Sequence, residues 1–261
     1  MPTIFATGLF EGRTALVTGG ATGIGFSIAE QLGALGASVV IASRNVERLA
    51  AASVSLTNAG VEAMWQGVDI RNETEVGALF DTLANRGRLP DILVNSAGGQ
   101  FAAPALCISP NGFRAVIDLN LAGTWHMSNA FAARRIAQGG GGRVINIVLS
   151  IESGSPGYAH AGAARAGVIN LTKTLAIEWA PHGLTVNAVA PGTIRTSGLD
   201  QYDPDAIAEG IEALPIKRMG EPPEVAQAVA FLASPAGDYI TGTVLFIDGG
   251  KQLARSLLKK D

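Results

Sequence analysis

The chain has 261 residues, of which 48% are hydrophobic and 16% charged, and its formal net charge at pH 7 is −3. This composition can supply a large buried core, and the lack of a basic run or of an apolar run of membrane-spanning length argues against nucleic acid and membranes as partners. With no signal-peptide pattern at its start and a single cysteine, Cys107, the chain is expected to be a soluble cytoplasmic protein.

Short apolar runs alternate with stretches of helical period, which is the pattern of β–α–β units. In chain order, the predicted strands are Ala15–Thr18, Val39–Ala42, Met64–Val68, Ile92–Asn95, Val144–Val148, Thr185–Ala190 and Val244–Ile247. Between the strands, Ile24, Ile28, Leu32 and Leu35 lie on one helical stripe, and Val76, Leu79, Phe80 and Leu83 form another. Right-handed crossovers between such strands predict an α/β fold: a Rossmann-type, doubly wound parallel sheet of about seven strands with helices on both faces.

Neither an internal repeat nor a linker interrupts this pattern, so a single dinucleotide-binding domain is expected over residues 1–261. The least regular stretch, residues 193–220, contains Gly198, Pro204, Gly210 and Pro215. Because this stretch follows the sixth predicted strand, it is a candidate lid over the site.

A glycine-rich turn joins the first predicted strand to the first predicted helix. Glycines there let the backbone approach a pyrophosphate, which binds against the unpaired N–H groups at the start of a helix. A tight turn between strand and helix can also use glycine without binding anything. The residues predicted to hold the pyrophosphate are Gly19, Thr22, Gly23, Ile24 and Gly25.

The second predicted strand is followed by Ser43 and Arg44. A site that prefers NAD carries an acidic residue near this point for the ribose hydroxyls, whereas a hydroxyl and a guanidinium suit a 2′-phosphate. Arg44 could also be an unpaired side chain beside a solvated turn. We predict that the coenzyme is NADP(H) and that NAD(H) is bound less well.

These motifs, together with Asn95-Ser96-Ala97-Gly98, Asn120 and the segment 158–173, resemble the short-chain dehydrogenase/reductase family over nearly the whole chain. The resemblance implies an oxidoreductase with a small-molecule substrate. It also implies a homo-tetramer built through the long helices predicted after the fourth and fifth strands, roughly over residues 112–137 and 158–180. It also implies further coenzyme contacts near the adenine, along the ribose and at the nicotinamide carboxamide. The matching residues are Asp69 and Ile70, then Asn95, Ala97 and Gly98, and then Pro191, Gly192 and Ile194, with Arg165 reaching the nicotinamide ribose. No metal ligand is implied.

The catalytic residues of most family members are altered in this chain. The tyrosine position holds Ala161, the lysine position holds Arg165, and the serine position falls on Val148 or Leu149, with Ser150 as the nearest hydroxyl. Asn120 matches the family's asparagine and could hold a water that relays protons. A guanidinium can still donate to ribose hydroxyls, but it stays protonated at working pH.

Two nearby residues are candidate proton donors. Tyr158 and Arg165 have the spacing Tyr-x6-Arg, which resembles the Tyr-x6-Lys of enoyl-thioester reductases in the family, and a cation near a phenol strengthens it as a donor. His160 is the second candidate, because an imidazole titrates near neutral pH. Tyr158 could equally be the aromatic residue that many members carry ahead of the catalytic tyrosine, and His160 could be a packed side chain.

The segments 98–101, 160–168 and 170–173 resemble the branch of trans-2-enoyl-CoA and 2,4-dienoyl-CoA reductases. The tyrosine credited to the enoyl reductases, four residues before Lys173, is Ile169 here. The resemblance implies NADPH-dependent reduction of a conjugated C=C bond in an enoyl or dienoyl thioester. The alternatives are a carbonyl or imine reductase with a non-standard proton donor, and a catalytically impaired dinucleotide-binding protein.

Acidic residues without any basic neighbour occupy residues 196–213, a distribution that favours a neutral or cationic substrate over a polyphosphate one. Solvated acids on an exposed helix would give the same pattern. The acids are Asp200, Asp203, Asp205, Glu209 and Glu212, and the flanking basic residues are Arg195, Lys217 and Arg218.

Overall fold

The computed structural model describes residues 4–151, 154–201 and 203–253. They contain a seven-stranded sheet in the order β3-β2-β1-β4-β5-β6-β7, and every neighbouring pair of strands is parallel. The strands are β1 (Thr14–Thr18), β2 (Ser38–Ser43), β3 (Ala63–Gly67), β4 (Ile92–Asn95), β5 (Gly142–Ile147), β6 (Leu184–Pro191) and β7 (Val244–Ile247). The predicted doubly wound sheet is confirmed.

Helices cover both faces of the sheet. They are α1 (Gly23–Ala34), α2 (Val46–Asn58), α3 (Glu73–Asn85), α4 (Pro110–Ile117), α5 (Gly123–Ala137), α6 (Ala159–Trp179), α7 (Pro204–Glu212) and α8 (Pro222–Ala233). Successive strand residues point to opposite faces, so Val17 packs in the layer of α1, α2 and α8, while Leu16 packs in the layer of α3, α5 and α6. Within the described residues, no helix has both the length and the apolar character required to span a bilayer.

The helix predicted over residues 112–137 is interrupted by a π-helical turn, Asp118–Ala122. Two side chains, one in the turn and one in the first residues of α5, hydrogen-bond to the main chain at the interruption. The Asn120 Nδ2 group donates to the Val116 carbonyl at 2.8 Å, and the Thr124 hydroxyl donates to the Asn120 carbonyl at 2.9 Å. Local bonds of this kind compensate for the altered helical ladder, and such turns occur frequently at functional sites.

A buried amide network ties the central strands to the helices behind them. The Asn95 Nδ2 group donates to Ser128 Oγ and to Asn146 Oδ1, both at 2.9 Å, and the Asn146 amide donates to Thr172 Oγ1 at 2.9 Å. All four side chains are buried. Because β4 and β5 are thereby fixed against α5 and α6, the carboxyl ends of these strands are held in register beside the helix that carries the candidate catalytic residues.

The stretch 193–220, described except for residue 202, connects β6 to α8. Its two ends meet where Gly220 N donates to the Thr193 carbonyl at 2.9 Å and Arg195 N donates to the Gly220 carbonyl at 2.8 Å. Helix α7 lies within it. The acids of this stretch whose side chains are described, Asp203, Asp205, Glu209 and Glu212, are all exposed, and the side chain of Asp200 lies outside the described part.

Candidate active site

The glycine-rich turn between β1 and α1 lies at the carboxyl edge of the sheet. Gly19 and Gly23 have φ of +66° and +55°, and a methyl group added to Gly19 would come within 2.9 Å of the Ala97 Cα. No acidic residue lies in the first turn of α1, and the exposed Thr22 makes no side-chain cap. The N–H groups of Gly23, Ile24 and Gly25 have no hydrogen-bond partner in the described part of the chain. This end of the helix therefore suits the pyrophosphate of a dinucleotide.

Ser43 and Arg44 lie where β2 ends. Ser43 pairs with Gly67 of β3, and Val68 N donates to the Ser43 carbonyl at 2.9 Å, so Arg44 and Asp69 leave the sheet side by side. The carboxylate of Asp69 is engaged by Arg71, whose Nε donates to its two oxygens at 2.9 and 3.1 Å. Hydrogen bonding to Arg71 lowers the pKa of Asp69. An adenine amino group would therefore share this carboxylate with a guanidinium.

The neighbouring predicted contacts follow the same edge of the sheet. Ile70 is buried, and a methyl group on Gly123 at the start of α5 would come within 2.7 Å of its side chain. Ser96 and Ala97 donate their N–H groups to the Thr18 hydroxyl, each at 3.1 Å. The Asn95 side chain belongs to the core network, so a coenzyme contact at Asn95 would have to come from its main chain.

Gly98, Asn120 and Arg165 come together at the centre of the site. A methyl group added to Gly98 would lie 2.1 Å from Arg165 Nη2 and 2.7 Å from Asn120 Oδ1. Asn120 Nδ2 donates to the carbonyls of Gly99 and Val116, both at 2.8 Å, and Asn120 Oδ1 accepts from Gly99 N at 3.2 Å. Both amide protons of Asn120 are thus engaged, which leaves a lone pair on Oδ1 for the predicted relay water.

Arg165 is a buried cation. Its side chain leaves α6 and its Nη1 donates to the Ile147 carbonyl at the end of β5, at 2.8 Å. Within the described residues it forms no ion pair, and only 8% of its surface is exposed. Burial lowers the pKa of Arg165 to about 10, so the group remains charged at neutral pH. A buried charge without a partner is costly, and it is suited to an anion or to negative charge that develops during a reaction.

The start of α6 carries the other candidates. Ala161 is buried at the position where the family's phenol is expected. His160 is fully buried with its ring edge-on to Phe101, 4.4 Å between centroids; its Nδ1 accepts from Ala161 N at 2.7 Å, and its Nε2 has no hydrogen-bond partner in the described part of the chain. Tyr158 lies half-buried at the residue before the helix begins.

Ser150, the hydroxyl nearest to the position of the absent serine, is engaged by a carboxylate. Its hydroxyl donates to Asp248 Oδ2 at 2.7 Å, and the same carboxylate accepts from Gly250 N and Gln252 N, both at 2.9 Å. No sequence pattern predicts the bond between Ser150 and Asp248, because Asp248 follows β7 and lies 98 residues downstream of Ser150.

Pro191 and Gly192, predicted to meet the nicotinamide, lie beside this bond. Ser150 N donates to the Pro191 carbonyl at 3.3 Å, and a methyl group on Gly192 would come within 2.7 Å of the Asp248 Cα. The Ile194 side chain is buried in the layer of α8, so a coenzyme contact at this residue would have to come from its main chain. Thr196 lies opposite Gly23, 3.4 Å from a methyl group placed there, which brings the start of the stretch 193–220 next to the phosphate turn.

Comparison with known proteins shows the family of the chain. The family model described as enoyl-(acyl carrier protein) reductase matches residues 19–252. A peroxisomal 2,4-dienoyl-CoA reductase ((3E)-enoyl-CoA-producing) of Danio rerio is 39% identical over 96% of this chain and 85% of its own length. A probable 2,4-dienoyl-CoA reductase ((2E)-enoyl-CoA-producing) of Bacillus subtilis is 36% identical over 93% of this chain and 98% of its own length. The crystal structure of a short-chain dehydrogenase from Bacillus anthracis is 34% identical, with a TM-score of 0.86, and the match covers 94% of this chain and 98% of that one. The chain therefore belongs to the short-chain dehydrogenase/reductase family, and within it resembles the branch of 2,4-dienoyl-CoA reductases.

Proposed function

We propose that the protein is an NADPH-dependent reductase of a conjugated C=C bond in an enoyl or dienoyl thioester. The observation that carries the proposal is the buried, unpaired guanidinium of Arg165 beside Gly98, in a helix whose phenol position is Ala161. Reduction of a conjugated alkene requires stabilisation of an enolate more than it requires a dedicated acid at a carbonyl oxygen. The names of the two dienoyl-CoA reductases that match the chain support the same reaction.

The nicotinamide coenzyme supplies hydride when it is bound. Residues of this chain that would hold it are Gly19, Thr22, Gly23, Ile24, Gly25, Ser43, Arg44, Asp69, Ile70, Asn95, Ala97, Gly98, Arg165, Pro191, Gly192 and Ile194. The unpaired N–H groups at the start of α1 and the lack of an acid in that turn support the pyrophosphate end. Ser43 and Arg44 support a preference for the 2′-phosphate of NADP(H) over NAD(H).

Arg165 has two roles in this proposal. It donates to the hydroxyls of the nicotinamide ribose, and its positive charge favours an electron-rich oxygen nearby. Asn120 positions the main chain of Gly99 through two hydrogen bonds, and its third bond, to the Val116 carbonyl, holds the amide in place. Tyr158, seven residues before Arg165, donates the proton that reaches the enolate. His160 and a water bound to Asn120 are the other candidate donors.

The acids at the start of α7 and along it are only a weak argument against a thioester substrate, because solvent screens exposed charges. These acids are Asp203, Asp205, Glu209 and Glu212. We propose that residues 193–220 form the lid of a single domain covering residues 1–261, whose ends, residues 1–3 and 254–261, lie outside the described part. A cytoplasmic location fits the exposed, unpaired Cys107.

We also propose a homo-tetramer assembled through α4, α5 and α6. Large apolar side chains are exposed along these helices: Phe113 at 41%, Trp125 at 40% and Ile177 at 77%. Large apolar side chains exposed on the helices through which the family resemblance implies assembly support the proposal. Light scattering of the purified protein tests the proposal, with Ile177→Glu as the disrupting variant. A monomeric wild-type protein at micromolar concentration would contradict it.

Two other activities remain candidates on specific observations. The orphaned Nε2 of His160 would suit a carbonyl or imine reductase with a histidine donor. Ala161, together with the engagement of Ser150 by Asp248, would suit a protein that binds the coenzyme without turnover.

NADPH consumption with enoyl-CoA, dienoyl-CoA, ketone and imine panels, followed by mass analysis, distinguishes the three activities. Saturation of one C=C bond with the carbonyl retained is expected. Reduction of C=O or C=N alone would favour the carbonyl or imine reductase, and NADPH binding without any product would favour the binding protein.

A further inference from the structure

A second arginine lies at the end of the site that is proposed to receive the 2′-phosphate. Arg71 reaches back over two residues to Asp69, and besides the Nε bonds its Nη2 donates to Asp69 Oδ2 and its main-chain N–H donates to Oδ1 at 3.1 Å. The side chains remain partly open to solvent, with exposed fractions of 39% for Arg71 and 24% for Asp69. The pair is therefore within reach of a ligand at this edge of the sheet.

The strand register places this pair next to Arg44. Ser43 pairs with Gly67, so the residues that follow each strand emerge as neighbours. The positive charge of Arg44 contributes, after that of Arg71, to lowering the pKa of Asp69. Two guanidinium groups and one carboxylate thus share the end of β2 and β3.

The carboxylate is the difficulty for a phosphorylated ribose. An unpaired Asp69, beside the adenine and next to Arg44, would repel a 2′-phosphate held by Arg44, whereas NAD carries no phosphate there to be repelled. A second acid, Glu75, lies close by, since its Oε2 accepts from Asp69 N at 2.8 Å. Asp118 also contributes electrostatically to the environment of Arg71. If Arg44 were the only cation here, the negative charge of these acids would favour NAD(H) over NADP(H).

We infer that Arg71 is a specificity-determining residue for the coenzyme. By engaging Asp69 side-on, it neutralises the carboxylate next to Arg44, so that Arg44 can hold the 2′-phosphate without repulsion from Asp69. This inference rests on the proposed use of NADP(H), and it adds a residue to which no coenzyme contact was assigned from the sequence. Arg44 supplies the direct contact, and Arg71 acts through Asp69.

Calorimetric titration with NADP⁺ and with NAD⁺ tests the inference without any turnover. The proteins are the wild type, Arg71→Met, Asp69→Asn, the double variant Asp69→Asn/Arg71→Met, and Arg44→Met. Arg13→Met is the matched control, because Arg13 is also a solvent-exposed arginine paired with an aspartate, Asp91, but at the amino end of β1. Thermal melting of each variant checks that it is folded.

Arg71→Met is expected to weaken NADP⁺ binding by about tenfold while NAD⁺ binding changes by less than about twofold, because the uncompensated Asp69 carboxylate then repels the 2′-phosphate. The double variant is expected to recover most of the NADP⁺ affinity, because neither the guanidinium nor the carboxylate remains. Arg13→Met should bind both coenzymes as the wild type does.

The possible failures are distinguishable. If the wild type prefers NADP⁺ and Arg44→Met loses that preference while Arg71→Met keeps it, the inference about Arg71 is overturned and the coenzyme proposal stands. If the double variant binds NADP⁺ as weakly as Arg71→Met, Arg71 contacts the phosphate itself and the action through Asp69 is overturned. If the wild type prefers NAD⁺ or binds neither, the coenzyme proposal fails and the inference fails with it.

Discussion

The guanidinium of Arg165 lies directly against the Cα of Gly98, so that a methyl group at residue 98 would come within 2.1 Å of Nη2. The turn after β4 and the helix proposed to carry catalysis are therefore in contact with no side chain between them. Asn120 closes the same contact from the π-helical turn, because its Oδ1 would lie 2.7 Å from that methyl group. Any enlargement at Gly98 must displace the buried cation.

Gly98→Ala is accordingly expected to lower kcat/KM by at least about tenfold, because small displacements of a positioning group have large effects on rate. The Kd for NADP⁺ should rise as well. Gly77→Ala is the matched control, since the same methyl group there has nothing within 4 Å and Gly77 lies within α3. Equal activity of Gly98→Ala and the wild type would contradict the contact between Gly98 and Arg165.

Replacing the buried Arg165 should raise the free energy of unfolding and lower the activity. Arg165→Met removes an unpaired buried charge, so the free energy of unfolding is expected to rise by on the order of 1–3 kcal/mol. The same change should lower kcat by about a hundredfold or more, the size typical of losing an electrostatic contact in an active site. Thermal melts and steady-state rates of both proteins check this. A less stable variant with full activity would refute the assignment.

The pKa of Arg165 gives this difference a pH dependence. Burial lowers the pKa of Arg165 in the folded state to about 10, well below its ordinary value in the unfolded chain. The cost of burying the cation is therefore complete below about pH 10, and it is relieved as the pH rises through that value, because the unfolded chain then holds more protons. The stability difference between Arg165→Met and the wild type should be constant from about pH 7 to 9 and should narrow above pH 10. Urea unfolding across this range measures it.

Ser150 and Asp248 are expected to be structural. Ser150→Ala removes one hydrogen bond and should lower the free energy of unfolding by about 1 kcal/mol while kcat stays within about threefold. Asp248→Ala leaves the N–H groups of Gly250 and Gln252 without their acceptor. Each loss should lower the free energy of unfolding by about 1–3 kcal/mol where no water replaces the carboxylate. If Ser150→Ala instead lost activity with unchanged stability, Ser150 would be the family's missing hydroxyl.

The proton donor is tested by two conservative variants. Tyr158→Phe is expected to reduce kcat by about a hundredfold, the usual contribution of a positioned acid. His160→Asn preserves an acceptor for Ala161 N and removes the imidazole, so kcat should change by less than about threefold if His160 only packs against Phe101. The reverse pattern would make His160 the donor and would favour the carbonyl or imine reductase.

Much of the fold was predictable because strand and helix periods are local properties of the sequence. The strands begin and end within two residues of their predicted limits, and Val244–Ile247 coincides with its prediction. The π-helical turn at residues 118–122 was not predictable, since it depends on where the side chain of Asn120 finds its partners. Glycines at residues 19 and 23 did mark the tight turn between β1 and α1, because their positive φ is a backbone requirement.

The sequence places the candidate site residues in motifs, but it does not predict the contacts that their side chains make. The pairing of Asp69 with Arg71 joins residues only two apart, yet nothing in their spacing separates an ion pair from two solvated charges. The burial of His160 depends on Phe101, and the engagement of Ser150 depends on Asp248, both remote in sequence. Such contacts follow from the packing of strand ends, which the sequence encodes only through the whole fold.

The most direct test of the central claim follows the hydride. The protein is incubated with a trans-2,trans-4-dienoyl-CoA and NADPH deuterated at C4 of the nicotinamide, and the product is examined by mass spectrometry and NMR. The account predicts one deuterium on a carbon of the former diene, one C=C bond fewer and an intact thioester carbonyl, with the rate lowered about a hundredfold or more in Arg165→Met. Recovery of the unchanged dienoyl thioester, with deuterium found only in the alcohol or amine from a ketone or imine, would contradict it.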